Sequence, residues 1–187
     1  MLINTITNML SAGLFASSSD VKVAKKFMRN QLRNSDLHPL LLKIHVISLR
    51  PEFVETYKTR FPNAELTTIC SVDIHDISRY PREKEVILRG PFMVVMDMYT
   101  DELIKIYDKP CTVVESVMLN ANRDHISTSH LGEEDALARD MFAAMVAVTR
   151  NEFVMKFYRS RGLTEEEQEY SRLLQESTAR LSALVEK

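Results

Sequence analysis

The sequence predicts an α+β fold, and three observations carry the prediction. Short runs rich in β-branched residues concentrate between residues 14 and 119. Beyond residue 132 the pattern changes to long helical periods. Hydrophobic residues make up 45% and charged residues 27%, with only 4 Gly and 6 Pro, a composition that packs a core and leaves little for disordered linkers.

Residues 14–17 form the first strand candidate. Residues 20–30 read as a helix, with Val23, Phe27 and Met28 on one face and Lys22, Lys25 and Lys26 on another. Asp36, His38 and Pro39 punctuate the chain before a strand over 41–49 (LLKIHVISL). Pro51 suits the first turn of a helix over 51–60, which Phe61-Pro62-Asn63 ends. A strand or turn region occupies 65–77. Strands at 86–88 and 92–98 flank Gly90-Pro91, and a turn at Lys109-Pro110 leads into a strand over 112–119.

Residues 132–161 read as one long helix. Glu133, Glu134 and Asp135 at its start and Lys156, Arg159 and Arg161 at its end complement the helix dipole. Its middle, 141–148, is nearly all apolar, which predicts burial on several sides. Gly162 is a C-cap candidate. Thr164 and Glu167 have the spacing of a capping box for a final helix. Along that helix Tyr170, Leu173, Leu174, Leu181 and Leu184 form a stripe suited to core or partner contacts. The expected division is a region 1–125 followed by a helical element, 126–187.

Net charge is -2, so no overall basic field draws the chain to nucleic acid or anionic lipid, and neither is expected as a partner. No stretch reaches about 18 apolar residues, so nothing is expected to span a membrane. The segment MLINTITNMLSAGLF lacks the basic start of a signal peptide, and a cytoplasmic location is expected. Cys70 and Cys111 sit in apolar or β-rich stretches and read as buried free thiols. His38, His45, His75, His125 and His130 show no metal-ligand spacing and read as surface or turn residues. There is no phosphate-cradling Gly-rich loop. Lys22, Lys25, Lys26, Arg29 and Arg33 make a modest basic patch, by default a solvated face.

Two segments carry candidate chemistry. One is Phe15-Ala16-Ser17-Ser18-Ser19, followed by Ala24 and Phe27. The other is Asp76-Ile77-Ser78-Arg79-Tyr80-Pro81-Arg82-Glu83-Lys84-Glu85-Val86-Ile87-Leu88. Glu83 and Glu85 are two apart at a strand entry, where alternate residues share a face. Two carboxylates on one face suit chemistry that generates positive charge. One can stabilise a sugar oxocarbenium while the other orients a nucleophile. Their mutual repulsion calls for nearby cations, for which Arg79, Arg82 and Lys84 are candidates.

In order and flanks the two segments resemble the R-S-E mono-ADP-ribosyltransferases, whose F-x-S-T-S strand and A-x-x-F helix precede a loop ending in E-x-E. The resemblance covers about residues 13 to 98. It implies a split β core of the transferase type, here partial, with C-terminal helices. It implies NAD as co-substrate, cleavage of the nicotinamide–ribose bond, and transfer of ADP-ribose to arginine on an acceptor protein. Glu85 would be the catalytic glutamate, holding a ribose hydroxyl and stabilising the oxocarbenium. Glu83 would orient and polarise the acceptor guanidinium. Ser17 would hydrogen-bond the ribose and help position Glu85, with Ser18 and Ser19 completing the cofactor-binding motif. Tyr80 and Arg82 would meet the substrate from the loop. Family members include phage proteins and bacterial effectors, so delivery into a host cytoplasm is a further expectation.

The chain departs from the pattern in two places. Ser18 replaces the family's Thr. More seriously, residues 1–16 hold no Arg or Lys, so the family's upstream arginine strand has no counterpart. A fragment of a transferase, a second chain supplying that strand, a degenerate scaffold acting as a non-catalytic protein-binding module, and a different way of holding NAD are the alternatives. Ser127-Thr128-Ser129 spells a second serine motif, but it follows E-x-E and reads as a turn.

Overall fold

The computed structural model describes residues 14–32, 38–89, 93–99, 104–106, 109–123 and 133–186. The chain is α+β. Its contacts divide it into two compact units, Met1–Val46 with Cys70–Met118, and Ile47–Ile69 with Leu119–Lys187. The division is discontinuous in sequence, whereas the sequence reading divides the chain once, after residue 125. The Gly90-Pro91 break, the serine turn at 127–129, Asp36, His125 and His130 lie outside the described residues.

The first unit holds the strands. In chain order these are β1 (Leu14–Ser18), β2 (Leu40–Ile47), β3 (Ser71–Asp73), β4 (Glu85–Arg89), β5 (Met93–Tyr99), β6 (Ile104–Ile106) and β7 (Lys109–Leu119), with helix α1 (Val21–Leu32) after β1. β4 is the middle of an antiparallel sheet in the order β1-β4-β3. A second sheet runs β2-β7-β5, with β6 also pairing β7. The Thr112 amide donates to the Pro39 carbonyl and the Ser116 hydroxyl to the Lys43 carbonyl. Both contacts advance together along the two strands, so β2 and β7 run parallel. Residues 115–119 of β7 are buried on both faces, as a central strand requires.

Helix α1 lays Met28 and Leu32 against Leu41, Cys111 and Val113, while Lys22, Lys26 and Arg29 stay exposed. A second cluster gathers Cys70, Leu88 and Met118. Both cysteines are buried free thiols, as their apolar flanks predict. His45 corrects the surface-or-turn expectation. It is half-buried on β2, and its Nε2 lies 2.6 Å from Oε2 of Glu115, a carboxylate with 0% exposure. Lys43 Nζ meets the other carboxylate oxygen at 3.2 Å. Two partners offset the cost of removing that charge from water.

The second unit is helical. It contains α2 (Pro51–Arg60), α3 (Glu133–Ser160) and α4 (Thr164–Val185). Its core joins Tyr57 and Phe61 to Met141, Phe142, Met145 and Val148 of α3 and to Leu181 and Leu184 of α4. Pro51 occupies the start of α2, as its fixed φ favours. α3 ends on Gly162 at φ +69, where Leu163 N donates to the Tyr158 carbonyl and Gly162 N to the Arg159 carbonyl. That pair of bonds is a Schellman cap, and glycine supplies the left-handed residue without a Cβ clash. The capping box is not formed. Thr164 is the first helical residue and the N-cap is Leu163, with no side-chain cap bond. The Glu167 carboxylate instead pairs with Arg159 at 2.7 Å. Asn151, buried in α3, donates from Nδ2 to the Leu173 carbonyl at 3.1 Å and pins α4 alongside. No described helix is long and apolar enough to cross a membrane.

Arg50 and Lys156 both bind the Glu152 carboxylate, which holds it below the ordinary glutamate range, the Arg50 hydrogen bond contributing most. A lowered folded value gives stability that is present above the unfolded value of about 4.3 and lost as pH falls through the folded one. Urea titrations at neutral pH and near pH 3 should therefore show a larger acid loss in wild type than in Glu152→Gln. Parallel losses would remove this pair from the account of acid sensitivity.

Candidate active site

β1 brings the serine motif to the E-x-E segment by strand pairing. Ser17 stands opposite Val86 and Ser18 opposite Glu85. All three serine hydroxyls then bond backbone carbonyls of that segment. Ser17 Oγ donates to Val86 O at 2.9 Å, Ser18 Oγ to Glu83 O at 2.7 Å, and Ser19 Oγ to Lys84 O at 3.4 Å. The Ser19 amide donates to the Lys84 carbonyl as well, at 3.1 Å. Ser17 thus holds the backbone at Val86, the residue after Glu85.

Asp20 caps α1, its Oδ1 accepting the Lys22 amide at 2.9 Å. That bond, helped by Lys84 Nζ at 3.6 Å, holds the Asp20 carboxyl below its usual range. The cap fixes where α1 starts, and so where Val23, Ala24, Phe27 and Met28 fall.

Glu83 and Glu85 come together by a different route from the pleat alternation expected of them. Pro81–Glu83 is a single 3-10 turn and Lys84 is left-handed, at φ 45 and ψ 52. Only Glu85 is on the strand. Proline at the start favours the turn. Ser18 and Ser19 hold the Glu83 and Lys84 carbonyls on either side of the unusual residue. A non-glycine in that conformation costs on the order of 1 kcal/mol, which these bonds and the Lys84–Asp20 pair offset.

Both carboxylates line one cavity of about 440 Å3. Ser17 and Ser18 line it too, as do Ala24 and Phe27 of α1 and Leu40 and Leu41 of β2. The lining therefore combines acidic and hydroxylated residues with apolar ones. The size and mixed lining suit part of a small organic ligand. Ser19, Tyr80 and Arg82 are not among the lining residues. Tyr80 is 57% exposed on the loop, with the Arg79 guanidinium over its ring, and Arg82 is exposed nearby. Neither Arg79 nor Arg82 pairs with Glu83 or Glu85 among the described residues, and Lys84 turns to Asp20, so the expected cationic relief takes another form.

That form includes Ser78, which the sequence reading did not single out. Its Oγ donates to Glu85 Oε2 at 3.1 Å. The signal could not be read from spacing, because it depends on how the loop between β3 and β4 folds back. In the same loop His75 lies between Asp73 at 2.7 Å and Asp76 at 2.9 Å. The Asp73 hydrogen bond, then the two carboxylate charges, raise the imidazole above its ordinary range. This is a turn histidine, as expected, but an ion-paired one. Compared with known proteins, the chain matches no protein-family model, no curated protein and no solved structure.

Proposed function

We propose that the chain is an NAD-dependent mono-ADP-ribosyltransferase acting on arginine of a protein, built on a partial transferase-like split β core. One observation carries the reading. Residues about 65 apart in sequence, Ser17 and Ser18 of F-A-S-S-S and both glutamates of E-K-E, line the same cavity with the Ala24 and Phe27 of the intervening helix. Motif order alone does not require that convergence.

In this reading the carboxylate of Glu85 accepts a hydroxyl of the nicotinamide ribose and faces the positive charge that builds as the glycosidic bond breaks. Nicotinamide leaves with the bonding electrons. Glu83 receives the acceptor guanidinium, orients one nitrogen toward the anomeric carbon and accepts the proton which that nitrogen loses as the new C–N bond forms. The apolar lining residues, Phe27 and Leu41 among them, offer surface for the flat part of the ligand. Exposed Tyr80 and the 84% exposed Ile77 suit contact with a protein acceptor. The same two residues favour the second reading, a binding module on this scaffold without turnover.

The test is nicotinamide release from NAD by the purified chain, together with ADP-ribosylation of agmatine as a guanidinium probe. Wild type should do both. Glu83→Gln should lose agmatine labelling and keep NAD hydrolysis. Equal loss of both activities would sink the arginine assignment, and no release by wild type would leave the binding module as the reading.

A further inference from the structure

We infer that Ser78 is a positioning residue for the Glu85 carboxylate, a step that rests on the transferase reading above. The Ser78 hydroxyl is itself held. The Tyr80 amide donates to Ser78 Oγ at 3.1 Å, so a lone pair of that oxygen is occupied and its proton is directed to Glu85 Oε2 at 3.1 Å. The backbone repeats the closure. Ser78 N donates to the Ile74 carbonyl at 2.8 Å, and Ile74 N donates to the Glu85 carbonyl at 3.0 Å. Glu85 is thus tied to this loop through both its main chain and its side chain.

A carboxylate that must meet one ribose hydroxyl needs one orientation. Binding Oε2 selects the rotamer and leaves Oε1 for the substrate, since each carboxylate oxygen accepts independently. Ser17 does not do this, because its hydroxyl is spent on the Val86 carbonyl. The arrangement also joins the loop's exposed aromatic to the chemistry. Tyr80 N, Ser78 Oγ and Glu85 Oε2 form a chain of two hydrogen bonds, so displacement of Tyr80 by an acceptor protein reaches the carboxylate directly.

Steady-state nicotinamide release by wild type, Ser78→Ala and Ser78→Thr tests the assignment. Ser78→Ala should lower kcat by roughly ten- to a hundredfold, with KM for NAD changed by less than about twofold. Ser78→Thr keeps the hydroxyl and should recover most of that loss. Unchanged kcat in Ser78→Ala, or a loss confined to KM, overturns the assignment. A second measurement needs no turnover. In carbon-13 spectra of the folded chain without NAD, Ser78→Ala should move the Glu85 carboxylate resonance and leave that of Glu83 in place. A wild type that releases no nicotinamide overturns the transferase reading alone, and an unmoved Glu85 resonance overturns the positioning role whatever the activity.

Discussion

Glu85→Gln is expected to reduce nicotinamide release from NAD by roughly 10²- to 10³-fold, the loss typical when a group aimed at developing charge is removed. At about 1.4 kcal/mol per tenfold this is roughly 3–4 kcal/mol of transition-state stabilisation. Glutamine is the informative replacement. It has the same shape, and its carbonyl can still accept from Ser78 Oγ, the 3.1 Å contact made by Glu85. What it lacks is negative charge. The backbone bonds that build the site, from Ser17 to Val86 and from Ser18 to Glu83, do not involve the side chain and should persist. Urea midpoints of wild type and variant should therefore agree while their rates diverge. A variant that retains wild-type turnover would remove Glu85 from the chemistry.

The second large effect concerns the helical unit. Tyr57 has 0% exposure, and its ring meets Phe61 at a tilt and Phe142 edge-on, with centroids 5.3 and 6.4 Å away. Tyr57→Ala should cost about 3–5 kcal/mol, the transfer of a large aromatic plus the cavity it leaves. Its hydroxyl is a separate matter. It is buried beside the Arg123–Asp135 ion pair without a hydrogen bond of normal geometry, and burial raises its pKa. Tyr57→Phe should accordingly match or exceed wild-type stability, because it removes a desolvated polar atom and keeps the ring. Urea unfolding of the three proteins separates the contributions. If phenylalanine costs as much as alanine, the hydroxyl is bonded after all.

Local rules made much of this architecture readable. Pro51 and Phe61-Pro62-Asn63 bracket α2 at the bounds found, Pro51–Arg60. Gly162 ends α3 through a cap that needs its positive φ. The cysteines are buried because their neighbours are apolar. The failures occur where a distant partner decides. Thr164 has the spacing of a cap, but the Schellman turn takes Leu163 into the N-cap place and Arg159 takes the Glu167 carboxylate. His45 looks like any polar residue in a strand, and its role appears only when β2 meets β7, bringing Glu115 from 70 positions away. At the candidate site the serines and glutamates were legible from their pattern. The left-handed Lys84 between the glutamates, the Ser78 contact and the apolar wall from Leu40 and Leu41 were not. Each of these depends on loop closure or on sheet order, neither of which leaves a periodic trace.

The split make-up of the helical unit bears on the order in which the chain matures at the ribosome. Its aromatic anchors, Tyr57 and Phe61, are synthesised early, yet the surfaces that cover them come from α3 and from Leu181 and Leu184 near the end of α4. Until translation reaches α3, residues 47–69 must wait with apolar side chains open to water, and the cover is complete only when those leucines arrive. Nascent chains in that condition are the ones that holdase chaperones recognise. A release of the polypeptide that stops short of α4 would leave this core without the side closed by Leu181 and Leu184, and so would expose the product to aggregation rather than yield a smaller stable protein.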